Sequence, residues 1–161
     1  MIREATSDDW PAIWRFFREI VAAGETFPYD PEIDERTARD RWMIGPPGHT
    51  VVALASDGRV IGSANMYANR EGGGAHIASA SFMVDPAHHG RGAGRALGKD
   101  ALNWARAHGF HGMQFNAVVE TNTRAVGLWK SLGFEIIGAI PEGFRHPTKG
   151  YVGLHVMYRR L

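Results

Sequence analysis

Val84-Asp-Pro-Ala-His-His-Gly-Arg-Gly-Ala-Gly-Arg-Ala-Leu-Gly98 is the stretch from which the rest of the chain is read. An apolar, strand-like run, Ala80-Ser-Phe-Met-Val84, precedes it, and a helix-like run from Ala96-Leu97 to Trp104-Ala105 follows it. Between them Gly90, Gly92 and Gly94 stand at alternate positions. Lacking a Cβ, they let the backbone turn sharply and bring its N–H groups against a ligand. Arg91 and Arg95 add cationic reach. A strand, a Gly/Arg loop and a helix start make a cradle for phosphate, because exposed amides and the positive end of a helix converge there.

Spacing narrows the ligand. The dinucleotide pattern G-x-G-x-x-G needs glycine at 90, 92 and 95, and position 95 is Arg95; begun at Gly92 it meets Leu97. The phosphate loop G-x-x-x-x-G-K-[ST] is absent too, since Lys99 is followed by Asp100. The run His89-Gly-Arg-Gly-Ala-Gly94 resembles the pyrophosphate loop of the GNAT family of acetyl-CoA-dependent N-acetyltransferases, written Q/R-x-x-G-x-G/A, with His89 in place of the usual Gln or Arg. A second stretch, Thr121 to Phe134, is similar to that family's N-x-x-A-x-x-L-[YW]-x-x-x-G-F signature at Asn122, Ala125, Leu128, Trp129, Gly133 and Phe134. Its physical reading agrees. Thr121 or Asn122 caps a helix, Ala125, Leu128, Trp129 and Leu132 share a face, and Gly133 supplies a left-handed stop with Phe134 folding back.

The bulk properties fit a soluble globular protein read as a single domain over residues 1–161. Hydrophobic residues make up 44% and charged residues 22%, and 18 basic against 17 acidic side chains leave a net charge of +1. That balance points to no nucleic-acid or membrane partner. The chain has no cysteine, hence neither disulfide nor thiolate nucleophile. His88 and His89 adjoin without matched partners, so no metal is expected. With no signal-like start and no long apolar run, the expectation is a cytoplasmic protein.

Along the chain, a short strand at 2–5 precedes a helix from Trp10 to Ala23, stopped by Gly24. Residues 25–31 are too proline-rich for an element. A second helix covers 33–43, and strands at 50–55 and 59–67 are joined by a Ser56-Asp57-Gly58 hairpin turn. Strands follow at 76–84, 113–119, 134–140 and 151–158, with helices at 92–107 and 122–132. The order β-α-α-β-β-β-α-β-α-β-β predicts a mixed α/β (α+β) architecture with helices on both faces of a mixed sheet.

The resemblance implies the GNAT fold, a central mixed sheet of about seven strands splayed in the middle. It implies acetyl-CoA as co-substrate in the splay between 80–84 and 113–119. Phe82, Met83 and Val84 would meet the pantetheine and acetyl end, with the amides of Met83 and Val84 pairing to it. His89, Gly90, Arg91, Gly92, Ala93, Gly94 and Arg95 would take the pyrophosphate, with Asn122 and Trp129 beside the pantetheine arm. A homodimer, common in the family, is expected.

A closer likeness is to the fungal azetidine-2-carboxylate (proline-analogue) N-acetyltransferases. It rests on Phe115-Asn116, Val118, Thr121-Asn122, Leu102-Asn-Trp104, Ile136 to Pro141 and the Gly24-Glu-Thr-Phe-Pro28 segment. It implies a small amine acceptor, an amino acid or its analogue, held by Asn116, Ser79, Thr26 and Phe27, with Ser79 standing where that subgroup has a second asparagine. Asn116 in the otherwise mostly apolar run 113–119 reads as a buried amide that needs a partner, either a neighbouring backbone or an acceptor carboxylate.

Acetyl transfer also needs a neutral amine. Glu120 and His76 are the candidates for taking its proton, each also readable as a solvated or capping residue. Tyr151 or water would protonate the leaving thiolate, since Trp129 stands where many members carry Tyr. Positioning and carbonyl polarisation by amides are an alternative to both. The loops 24–31 and 144–150 look able to close over a small molecule. A protein or peptide N-acetyltransferase and a non-catalytic CoA-binding module remain as alternatives.

Overall fold

The computed structural model describes residues 1–161. Seven strands form one sheet in the order β1-β2-β3-β4-β5-β7-β6. They are β1 (Ile2–Glu4), β2 (His49–Leu54), β3 (Val60–Ala68), β4 (Ile77–Val84), β5 (Gly112–Val119), β6 (Glu135–His146) and β7 (Gly150–Arg160). All neighbours run antiparallel except β4 and β5, which are parallel. Four helices, α1 (Trp10–Ala23), α2 (Glu35–Trp42), α3 (Ala93–Ala107) and α4 (Thr123–Ser131), complete the fold. The expected element order and the mixed seven-stranded sheet are both present. No helix is long and apolar enough to cross a membrane.

Strand alternation divides the core between the two faces. Val52 packs with α1 and α2 in a cluster built on Ile13, Phe16, Phe17 and Trp42. Its neighbour Val51 packs with α3 and α4, against Leu97, Ala101 and Trp129. Polar rungs pin α2 to the sheet: Trp42 Nε1 donates to Ser63 Oγ at 2.9 Å, and Asn65 Nδ2 donates to the Trp42 carbonyl at 3.1 Å. Helix α1 ends as expected at Gly24, left-handed at φ 66°. Helix α2 starts two residues later than its periodicity suggests, because Asp34 caps it by accepting from Thr37 N–H at 2.9 Å.

The largest difference lies in β6. It was expected to stop at Ile140 and instead continues to His146, pairing Phe144 with Val152 and Arg145 with Tyr151. Pro141 reads as a breaker, but it falls at an irregularity of the outermost strand, where no ladder donor is required. The stretch 144–150 is therefore a strand end and tight turn rather than a lid. His146 Nδ1 holds that turn by accepting from the N–H groups of Thr148 and Lys149, both at 3.2 Å.

Candidate active site

Strands β4 and β5 pair only at Ile77–Gly112 and Ala78–Met113, then diverge. Beyond that point the inner edge of β4 has no strand partner. Alternation assigns which groups face the gap. Asp85 N–H donates to Ile61 and Asn69 N–H donates to Ile77, so the odd-numbered residues of β4 are spent on β3. Ala80, Phe82 and Val84 turn their backbone groups to the gap. This corrects one expectation: Val84 offers an amide, whereas the Met83 amide faces Ser63, and Phe82 provides the second free group.

At the end of β4 the chain enters the glycine loop. Asp85, 3% exposed, anchors it by accepting from Ala87 N–H at 3.0 Å and from Arg15 Nη2 at 2.7 Å. Gly90 and Gly92 adopt left-handed conformations, φ 77° and 84°, with open space where a Cβ would stand. Helix α3 then begins, and its first internal bond is Ala96 N–H to the Gly92 carbonyl. The preceding helical N–H groups, of Ala93, Gly94 and Arg95, have no intrahelical acceptor. They face a cavity of about 350 Å³ whose wall includes Val84, His89, Gly90 and Gly94. His89 folds back, its Nε2 lying 3.1 Å from the Val84 carbonyl. Arg91 does not line the cavity; Arg95 and His88 do. Free amides at a helix start fit a pyrophosphate.

A second cavity, of about 270 Å³, continues from the first into the splay, and Thr26, Phe27, Phe82, Asn122, Ala125 and Trp129 line both. Trp129 forms the common wall, its ring 4.6 Å from Phe82 and 4.8 Å from Phe115. Asn122 caps α4 by accepting from Ala125 N–H at 3.3 Å, which leaves its amide donors uncommitted beside both cavities. The expected acceptor residues Thr26, Phe27, Ser79 and Asn116 all line the second cavity.

Asn116 differs from expectation in its surroundings. It is exposed, in a segment of β5 that slips out of register with β7 between Phe115 and Val118. Its Nδ2 donates to Asn69 Oδ1 at 2.6 Å, and its Oδ1 accepts from Gln114 Nε2 at 3.0 Å.

Tyr29 and Tyr67 also line this cavity and were missed. Burial pushes the Tyr29 phenol above its ordinary value, so it stays a neutral donor. A signal for Tyr67 existed in the alternation of polar Ser63, Asn65 and Tyr67 along β3. No carboxylate, histidine, lysine or arginine lines the second cavity. The three expected catalytic residues lie elsewhere. Glu120 Oε1 accepts from Gly153 N–H at 2.7 Å, His76 packs on His111 with ring centroids 5.3 Å apart, and Tyr151 is 65% exposed on β7.

The comparisons with known proteins agree with this geometry. The acetyltransferase (GNAT) family model matches residues 10–134. A GCN5-related N-acetyltransferase from Kribbella flavida is 62% identical, with a TM-score of 0.97 over 100% of this chain and 97% of that one. A phosphinothricin acetyltransferase from Sinorhizobium meliloti, solved with acetyl-CoA, is 26% identical, with a TM-score of 0.89 over 100% and 88%. N-acetyltransferase aca1 of Schizosaccharomyces pombe is 28% identical over 156 residues, covering 88% of this chain and 75% of its own length. With a matching family model and an amide cradle at the head of a splayed sheet, the chain belongs to the GNAT family of N-acetyltransferases and uses acetyl-CoA.

Proposed function

We propose that this enzyme transfers an acetyl group from acetyl-CoA directly to the amine of a small, amino-acid-like acceptor held in the same complex. The observation that carries this reading is the junction of the two cavities at Phe82, Asn122 and Trp129. An amine in the second cavity meets a thioester in the first without leaving the fold.

In this reading the free N–H groups of Ala93, Gly94 and Arg95 hold the pyrophosphate, and the gap-facing groups of Phe82 and Val84 hold the pantetheine and acetyl end. Acetyl-CoA supplies an activated thioester carbonyl. The amine nitrogen forms the new C–N bond as the C–S bond breaks, CoA leaves as the thiolate and takes a proton from solvent, and the amine's surplus proton passes to solvent. Because the acceptor cavity holds no ionisable base other than tyrosine, the rate arises from placing the amine and polarising the carbonyl through backbone amides. In this reading Glu120, His76 and Tyr151, which lie outside this cavity, take no proton from the amine.

Several features support an amino-acid-like acceptor. Asn116, Ser79, Tyr29 and Tyr67 ring the cavity with neutral polar groups, and its other walls are largely apolar, with Phe27, Phe82, Phe115 and Trp129 as the aromatic members. An adjoining cavity shares Tyr29, Tyr67 and Ser81 and adds Arg41, whose guanidinium lies 5.9 Å from the Tyr29 ring centre and suits a carboxylate. The likeness to the proline-analogue acetyltransferases belongs to this proposal. So does a homodimer, supported by the outermost strand β6, where Ile137 and Ile140 are 57% and 53% exposed.

Thiol release from acetyl-CoA, followed across free amino acids, their amides and short peptides, tests the reading. Free amino acids should be the substrates, and peptide turnover alone would reject it. Asn116→Ala should then raise the acceptor KM about tenfold or more while acetyl-CoA affinity holds. Equal losses for both substrates would make Asn116 a structural bridge to Asn69.

A further inference from the structure

Behind the cofactor cavity, the groove between α3 and the end of α4 collects cations for which the transfer reaction has no use. Arg95, Lys99 and Arg106 lie along one face of α3, and Arg159 of β7 closes the far side, around a cavity of about 480 Å³ with no carboxylate in its lining. The whole chain carries only +1, so this is a local concentration of charge rather than general basicity. Two of the four are committed in part. Arg95 Nη2 donates to Ser131 Oγ at 2.8 Å, and Arg159 Nη1 donates to the Leu132 carbonyl at the C-terminal end of α4. Lys99 and Arg106 enter none of the chain's ion pairs. Arg95 and Lys99, four residues apart, repel each other along the helix. An unbalanced arrangement of this kind is relieved by an anion.

Arg95 lines both this groove and the cofactor cavity, so the two adjoin at its side chain. Lys99 lies one turn further, about 6 Å along the axis. Besides its pyrophosphate, acetyl-CoA carries a phosphomonoester at the 3′ position of the ribose that adjoins the pyrophosphate. We propose that the groove binds this 3′-phosphomonoester, with Lys99 and Arg106 as the free cations and Arg95 shared between the two phosphate sites. This rests on the reading that the pyrophosphate lies on the Gly90–Gly94 loop. Charge-assisted contacts to a dianion make the groove a means of telling acetyl-CoA from its dephosphorylated form.

Calorimetry with acetyl-CoA and with 3′-dephospho-acetyl-CoA tests this directly on the unaltered enzyme. Acetyl-CoA should bind about tenfold tighter or better, and the gap should narrow as salt rises. In the Lys99→Gln/Arg106→Gln variant the gap should fall below about threefold through loss of acetyl-CoA affinity alone, with a melting temperature of the free enzyme no lower than the parent's. A wild-type enzyme that binds both cofactors alike overturns the proposal and leaves the pyrophosphate reading standing. Binding of neither cofactor overturns both. A folded variant that keeps the full preference, or that weakens the two ligands equally, also overturns it.

Discussion

At the scale of the single residue, Asn122 carries two duties that one substitution would confuse. Its Oδ1 accepts from Ala125 N–H and caps α4, while its amide donors sit beside both cavities. Asn122→Ala removes both roles, so it should lower the melting temperature, through a cap worth about 1 kcal/mol. It should also weaken acetyl-CoA by about fivefold, the loss of one neutral hydrogen bond. Asn122→Asp separates them, because a carboxylate still caps but no longer donates. Its stability should match the parent's while acetyl-CoA affinity falls. An aspartate variant with parental affinity would reduce Asn122 to a cap. The residue's place in the N-x-x-A-x-x-L-W pattern was legible in the sequence because capping and helix periodicity both act over a few neighbours. The surroundings of Asn116 were not. An apolar strand normally implies burial, but β5 loses β4 as a neighbour beyond Met113 and slips out of register with β7, which leaves Asn116 exposed at the mouth of the splay.

Among the elements, α3 and α4 approach each other through Gly98. A Cβ built there would stand 2.7 Å from Leu132 Cδ1 and 2.9 Å from Trp129 Cζ3. Replacing an interior helical glycine with alanine gains up to about 1 kcal/mol in backbone terms. Overpacking a close contact costs about 1–3 kcal/mol, and here the obstruction includes the Trp129 ring, itself packed against both Phe82 and Phe115. The steric cost should win. Gly98→Ala should therefore be less stable in urea unfolding and, by shifting the shared wall at Trp129, should weaken acetyl-CoA binding as well. Enhanced stability would show that α4 moves away freely. The elements themselves were largely legible, since glycine stops, caps and apolar periods are local signals. The extension of β6 through Pro141 was not, because its edge position and register breaks depend on how β7 folds back.

For the molecule as a whole, the fold could be anticipated from two short signatures, whereas the acceptor cavity is assembled from the 25–31 segment, β3, β4, β5 and α4 with its cap. Tyr29 and Tyr67 meet only once α1, α2 and the sheet have packed, and no local spacing announces that. Global stability against pH depends on similar tertiary placements. Arg3 donates to both Asp9 oxygens, at 2.7 and 2.8 Å, and holds that carboxyl below the usual carboxylate range. Asp9 therefore stabilises the fold above the unfolded carboxylate value of about 4, and the gain is lost as pH falls through its lowered native value. Asp100 on α3 has the opposite sign. Burial raises its carboxyl, with His49 offsetting part of the effect. Its native form binds a proton more readily than the unfolded chain does, so its penalty grows as pH rises from about 4 through the raised native value. Asp100→Asn should accordingly raise the melting temperature at pH 7, and that gain should vanish near pH 3, where the native carboxyl is already neutral. Asp9→Asn should lower the melting temperature at pH 7, with the deficit shrinking in acid. Melting curves for both variants at the two pH values check the pair. If Asp100→Asn destabilises equally at both, the residue contributes packing or a hydrogen bond rather than a buried charge.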